Sequence, residues 1–331
     1  MQSVDGGTGI MFADEQYGGA GNDSIVGGSS SQYNGYYIGL QELHGESGDD
    51  EIWGGDSKRR QTITGGSGND WIWTGNNIGW IGDNPTISSV VVSGDRGTYG
   101  DEITDSEDGT VDGDDVIDIG DGNLRVLAFG NGGNDKIYGG SGVDSPLSYE
   151  YLFGGSGDDK IWAQHPGDVT ENLESPRQYI YGGAGNDWLS GSNQTDWIYG
   201  DSAGTGIEAN AGIDWILGRG GDDYLFGGFA DDYIDGGAGD DWIYGGDGAN
   251  VVNAGAGDDY IFSGADDDWA DGGSGMNTFI GGWGGNTQTG GDDTDRMMGN
   301  FGNDVQMGNG GVDYMNGGQG NDWMEGGDDD D

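Results

Sequence analysis

The sequence predicts an all-β repeat fold, a solenoid of short stacked strands, and three observations carry that prediction. Residues 182–325 divide into sixteen consecutive nine-residue units without insertion or deletion, among them GGAGNDWLS at 182–190, GRGGDDYLF at 218–226, GGAGDDWIY at 236–244 and GGQGNDWME at 317–325. A fixed period of this kind marks one small structural unit repeated, each copy burying its apolar face only against its neighbours. Within a unit the eighth residue is typically apolar and points inward, so the seventh and ninth point out, the alternation of a half-buried strand. Composition agrees: with 78 glycines and 32% hydrophobic residues in 331, the chain has too little apolar volume for a thick core, which leaves a thin layered one. Disorder is the usual reading of such a composition. It fails here because 36 aromatic residues recur at fixed phase.

The shared pattern, Gly-Gly-x-Gly-x-Asp-x-apolar-x, resembles the nonapeptide of the RTX, or haemolysin-type, calcium-binding family. The resemblance implies a right-handed parallel β-roll with two short strands per coil. Each nonapeptide is then a turn plus a strand, and alternate units lie on opposite edges. The reading is a stack of roughly 16 coils, for which the strand spacing gives a length on the order of 75 Å.

Taken in order, residues 1–17 read as a lead-in or N-terminal cap, 18–181 as a roll with insertions, and 182–331 as the regular roll, ending mid-repeat in GGDDDD at 326–331. Clear units in the first part are 18–26, 45–53, 65–73, 130–138 and 154–162. Between them the longer segments 27–44, 54–64, 139–153 and 163–181 still place Leu43, Ile63, Leu152 and Ile180 one residue before the next glycine. Alternation assigns the units beginning at 18, 45, 65, 130, 154 and 182 to a first edge, continued at 200, 218, 236, 254, 272, 290 and 308. Those four insertions then all emerge from the second edge. The stretch 83–129 is harder to phase. Splitting it at 83, 94, 105 and 119 keeps the alternation, and the acidic run DSEDGTVDGDD at 105–115 reads as either a further calcium loop or a solvated excursion.

In the family's loop the glycines permit positive φ, so backbone carbonyls turn toward a common point. The sixth-position Asp adds a carboxylate. Calcium takes six to eight hard oxygen ligands, so adjacent loops on one edge must supply them jointly. The first edge carries Asp23, Asp50, Asp70, Asp135, Asp159, Asp187, Asp223, Asp241, Asp259, Asp295 and Asp313, interrupted by Thr205 and Asn277. The second carries Asp196, Asp214, Asp232, Asp268, Asp304 and Asp322, interrupted by Asn250 and Asn286, with the fourth-position Gly replaced at Gln194, Ala230 and Asp266. The expectation is a nearly continuous calcium column on the first edge, a patchier one confined to the C-terminal half on the second, and on the order of ten or more ions. The competing reading of these Asp residues is local turn hydrogen bonding. A net charge of −51 would repel a compact fold, so the chain is expected to be largely unfolded without calcium.

Outward positions are aromatic. One set is Trp53, Trp71, Trp73, Tyr138, Trp162, Trp188, Tyr224, Phe226, Trp242, Tyr244, Tyr260 and Phe262. The strands between them carry Trp80, Tyr151, Phe153, Tyr179, Tyr181, Trp197, Tyr199, Trp215, Tyr233 and Trp269. Ladders of this length stabilise the sheets. They also exceed the apolar stripe a monomer normally exposes, so the insertions, neighbouring subunits or stacked sugar rings are open as covers. Toward the C-terminus the inward residue becomes Gln288, Gln306 and several Met; buried glutamines can pair along the stack as an amide ladder, and the competing reading is a loosened, less stable end.

The acidic charge disfavours nucleic acid and anionic lipid as partners. Cysteine is absent, no apolar run is long enough to span a bilayer, and MQSVDGGTGI lacks the regions of a signal peptide. No enzyme is expected. His44 and His165 fall in insertions, the GDSAG string at 200–204 sits inside a degenerate repeat, and no HExxH motif occurs. Lys58, Arg59 and Arg60 form one basic cluster, read as a solvated loop over a docking element, and Asn22 and Asn193 fit the glycosylation sequon incidentally. The functional expectation is a calcium-stabilised extracellular structural protein, a filament or surface-layer subunit assembling head to tail, the unfinished last loop completed by the next molecule's first. The alternative is an adhesin or glycan-binding module using the aromatic ladders.

Overall fold

The computed structural model describes residues 13–27, 32–33, 36–37, 40–54, 60–74, 89–95, 113–119, 125–140, 149–164, 177–201 and 211–327. Among these, the regular structure is strand joined by tight turns, with no helix. The chain divides into two units, Met1–Tyr179 and Ile180–Asp331.

In the first unit, sheet A stacks Ala13–Ala20, Leu40–Ser47, Arg60–Ser67, Ser89–Asp95, Arg125–Gly132 and Tyr149–Ser156 in parallel. Sheet B stacks Ser24–Val26, Glu51–Trp53, Trp71–Trp73, Val116–Asp118, Lys136–Tyr138 and Lys160–Trp162. Each A strand leads into the next B strand and each B strand back to the next A strand, so the chain winds as a parallel β-roll. Three of the predicted insertions, 27–44, 54–64 and 139–153, lead from sheet B back to sheet A, and the one at 27–44 contains a small antiparallel pair, Gln32–Tyr33 with Tyr36–Tyr37. The middle is simpler than the four starts at 83, 94, 105 and 119 require. Ser89–Asp95 pairs directly with the sheet A strands before and after it, and Val116–Asp118 does the same in sheet B. Neither sheet therefore admits a further rung there.

In the second unit, sheet C starts from the end of Arg177–Ala184 and stacks Trp197–Asp201, Tyr224–Gly228, Trp242–Gly246, Tyr260–Gly264, Thr278–Gly282, Arg296–Phe301 and Tyr314–Gln319. Sheet D stacks Trp188–Ser190, Trp215–Gly220, Tyr233–Ala238, Val251–Ala256, Trp269–Ser274, Thr287–Gly291, Val305–Asn309 and Trp323–Gly327. The regular turn between sheets is six residues, as in 218–223. The connection from Trp197–Asp201 to Trp215–Gly220 spans 200–214 instead and is nine residues longer. Units 200–208 and 209–217 are therefore one half-coil. From Asp214 onward each turn lies on the edge opposite to the one the nine-residue count assigns.

Period-two burial follows from the pleat. Leu43, Ile52, Ile63, Ile72, Ile117, Ile137, Leu152 and Ile161 in the first unit are fully buried, as are Ile180, Leu189, Ile198, Ile216, Leu225, Ile234, Ile243, Ile261 and Phe279 in the second. They stack in register, Ile52 on Ile72 in sheet B and Leu225 on Ile243 in sheet C. Gln288 and Gln306 are equally buried and form the amide ladder, Gln306 Nε2 donating to Gln288 Oε1 at 2.8 Å.

Candidate metal centre

The turns repeat one geometry. In the first unit the backbone N–H of each sixth-position Asp donates to Oδ1 of the next one up the stack. Asp23 donates to Asp50, Asp50 to Asp70, Asp70 to Asp115, Asp115 to Asp135 and Asp135 to Asp159, at 2.7–2.8 Å. Of the acidic run at 105–115, residues 105–112 lie outside the described residues, and the last three, Gly113-Asp114-Asp115, form a turn of the column. The motif Gly-x-Asp followed by Val116-Ile117-Asp118 carries that signal in the sequence.

The second unit has two such columns, and their membership corrects the expected edges. On the C-to-D edge Asp187 donates to Asp214, Asp214 to Asp232, and the chain continues through Asn250, Asp268, Asn286, Asp304 and Asp322. On the D-to-C edge Asp196 donates to Asp223, then Asp241, Asp259, Asn277, Asp295 and Asp313 follow. Asp223, Asp241, Asp259, Asp295 and Asp313 therefore do not continue the Asp187 column. They belong with Asp196, and Asn277 interrupts that column, whereas Asn250 and Asn286 interrupt the other. Thr205, together with Ser202, His165, Lys58 and Arg59, lies outside the described residues. His44 stacks on Tyr17, ring centroids 4.9 Å apart.

The second carboxylate oxygen decides what the turns can do. Oδ2 of Asp50, Asp70, Asp214, Asp223, Asp232, Asp241, Asp259, Asp268, Asp295 and Asp304 is buried with no hydrogen-bond partner. Burying a carboxylate in this way costs several kcal/mol unless a cation or a proton compensates. Burial accordingly raises the carboxyl pKa of Asp214 and Asp223 to about 9, of Asp232 to about 8, of Asp70, Asp159, Asp241 and Asp268 to about 7, and of Asp259 and Asp295 to about 6. For Asp223 the neighbouring Asp196 charge adds to it.

The first glycine shows the crowding. A Cβ at Gly227 would lie 2.4 Å from Gly245 O and 2.5 Å from Asp232 Oδ2, so only glycine lets the two oxygens converge. Among the described residues no three acidic or histidine side chains meet at one point. Backbone carbonyls must supply most ligands, and carbonyls plus one or two carboxylates are the oxygen donors a calcium ion takes.

Asp196 differs from the rest. Its Oδ2 accepts from Ser192 N at 2.6 Å and Ser192 Oγ at 2.9 Å, the local turn bonding that a Gly-poor loop, GSNQTD, allows. A fifth-position column also escaped the sequence pattern, which left that place open. Asp49 N donates to Asn22 Oδ1, Asn69 N to Asp49 Oδ1, Asp114 N to Asn69 Oδ1 and Asp158 N to Asn134 Oδ1, at 2.7–3.2 Å. Its side chains accept from the rung above, the sixth-position ones from the rung below.

Stacked turns with buried carboxylate oxygens define a β-roll with repeated candidate cation sites. The chain belongs to the RTX calcium-binding nonapeptide repeat family, whose model matches residues 14–31, 41–58, 60–77, 127–145, 150–164, 178–203, 207–288 in overlapping segments, and 307–331. No curated protein matches the chain. RTX repeats bind calcium and proteins carrying them are typically secreted. No helix among the described residues is long and apolar enough to cross a membrane.

Proposed function

We propose that the protein is a calcium-stabilised extracellular structural protein, a subunit of a filament or surface layer built by stacking β-rolls. One observation carries this reading. From 215 to 327 every rung pairs with the next in the same register, 18 residues on, as Tyr233 with Val251 and Val251 with Trp269. The upper side of each coil is thus complementary to the lower side of every other. Such a contact is heterologous and does not close on itself. Calcium outside cells suits the buried carboxylates, and the reading requires no reaction on a substrate.

Electron microscopy of the purified chain with millimolar calcium and with excess chelator tests it. Long fibres or sheets in calcium alone are expected, and monodisperse particles in both conditions would overturn the proposal. A second reading has its own observation: sheet C carries two parallel outward ladders, Trp197–Tyr224 and Trp242–Tyr260 beside Tyr181–Tyr199–Phe226, with successive rings 4.5–4.9 Å apart. Sugar rings stack on such surfaces. Calcium-dependent retention on a polysaccharide column, without fibres, would favour that reading over assembly.

A further inference from the structure

Three turns of the second unit carry Asn where the others carry Asp: 245–250, 272–277 and 281–286. In an Asp turn, Oδ1 is committed to the N–H of the adjacent rung and Oδ2 faces the first residue of its own turn. A Cβ at Gly227, Gly236 or Gly290 would lie 2.5, 2.4 or 2.3 Å from the Oδ2 of Asp232, Asp241 or Asp295. At Gly245, Gly272 and Gly281 the atom in that place is Nδ2 of Asn250, Asn277 and Asn286, at 3.0, 2.5 and 2.8 Å.

The amide has no freedom to reverse. Its Oδ1 must accept the N–H of Asp232, Asp259 or Asp268, at 2.9, 3.0 and 3.0 Å, which leaves Nδ2 for the turn. There it donates to the fourth-position carbonyl, Gly248 O or Gly275 O at 3.1 Å and Gly284 O at 3.3 Å. In turn 281–286 Gln288 Nε2 comes within 3.2 Å of the same point, so two N–H donors gather where the other turns place a carboxylate oxygen. The local polarity is inverted. An amide N–H repels a cation, occupies a carbonyl of its own turn, and leaves no buried charge to neutralise.

We infer that turns 245–250, 272–277 and 281–286 are closed by their own side-chain amides and take no calcium, giving the second unit rungs that stay rolled when calcium is withdrawn. The inference rests on calcium binding by the Asp turns and is independent of assembly. Both ion columns are then interrupted: Asn277 separates Asp259 from Asp295, and Asn250 and Asn286 flank Asp268. A stacked array folds by nucleation and propagation between neighbours. Rungs that need no ion leave calcium to add the Asp turns on either side of them.

Hydrogen exchange on the full chain in excess chelator is the first test. The backbone amides of Asp232, Asp259 and Asp268 donate to Asn, and those of Asp223 and Asp241 donate to Asp. The first group is expected to exchange at least about tenfold more slowly than the second, and equal rates would overturn the inference. Equilibrium dialysis gives an independent check on the parent chain and the Asn250→Asp, Asn277→Asp and Asn286→Asp variants. Each variant is expected to bind more calcium per chain than the parent. Unchanged calcium in a variant whose circular dichroism in calcium matches the parent would overturn it, as would a parent that binds none. Absence of fibres under the microscope bears on assembly alone.

Discussion

At the scale of single residues, each turn is held by two side chains working in opposite senses. The sixth position reaches one way along the stack and the fifth the other, so a rung is gripped from both sides. In the first unit the fifth position alternates Asn22, Asp49, Asn69, Asp114, Asn134, Asp158. Neutral residues thereby separate exposed charges that would otherwise stack one strand spacing apart. Backbone conformation matters as much. The fourth position keeps positive φ at Ala230 (φ 75°) and Asp266 (φ 71°), where glycine is lost, but not at Gln194 or Asp293. A left-handed alanine costs about 1–2 kcal/mol, partly offset by the stiffer unfolded chain. Ala230→Gly is therefore expected to stabilise the calcium-loaded protein by about 0.5–1 kcal/mol in urea denaturation. Gly239→Ala is the counterpart. At φ 134°, with its Cβ 2.1 Å from Gly221 O, that alanine should destabilise well beyond the same amount, and a neutral outcome would contradict the close stacking of the turns.

At the scale of strands, the outward ladders bind rung to rung. Tyr199 lies between Tyr181 and Phe226, centroids 4.9 and 4.6 Å away and planes within 3° of parallel. Each stacked pair adds about 0.5–1.5 kcal/mol beyond burial, so Tyr199→Ala should cost about 2 kcal/mol more than its lost area predicts. Phe262 stacks on Tyr244 on one side and pairs with the aliphatic Ile280 on the other, so Phe262→Ala should cost about half that excess. Equal excess costs in denaturant would deny the ladder its cumulative role. Ring membership is also where the sequence misleads. Trp197 and Tyr199 share a face with Tyr224 and Phe226, and Trp188 shares one with Trp215 and Tyr233, because the connection 200–214 absorbs one whole repeat length. An insertion equal to the period leaves every later unit in phase by count while moving it to the other edge. Thr205 in place of Asp and the missing aromatics beside Ile207 are the available signs. The strands themselves, the inward column and the sixth-position Asp are legible because each rests on local periodicity. Pairing between edges and the amide polarity at Asn250 depend on contacts between rungs, which no count along the chain contains, whereas the closure of Asp196 by Ser192 is local to its own turn.

At the scale of the whole molecule, a net charge of −51 and columns of buried carboxylates lead to the expectation that rolling is conditional on neutralisation, by calcium or by protons. The carboxylates specify the direction. Burial raises the pKa of Asp214 and Asp223 to about 9, of Asp232 to about 8 and of Asp241 to about 7, from an ordinary value of 3.8. A calcium-free roll therefore holds more protons than the unfolded chain between about pH 4 and 9, and its stability rises as pH falls through that window. The contribution is complete below the unfolded value and is lost as pH climbs through about 6 to 9. In excess chelator the β signal in circular dichroism is expected to be stronger at about pH 5 than at about pH 8. Protonation of surface carboxylates would act in the same direction by relieving self-repulsion, so salt must separate the two. At about 1 M salt the screening length is about 3 Å, which removes repulsion between exposed charges but scarcely reaches buried ones. If the buried columns dominate, the gain at the lower pH persists in that salt. A gain that vanishes there would assign the calcium requirement to the molecule's overall charge and not to its turns.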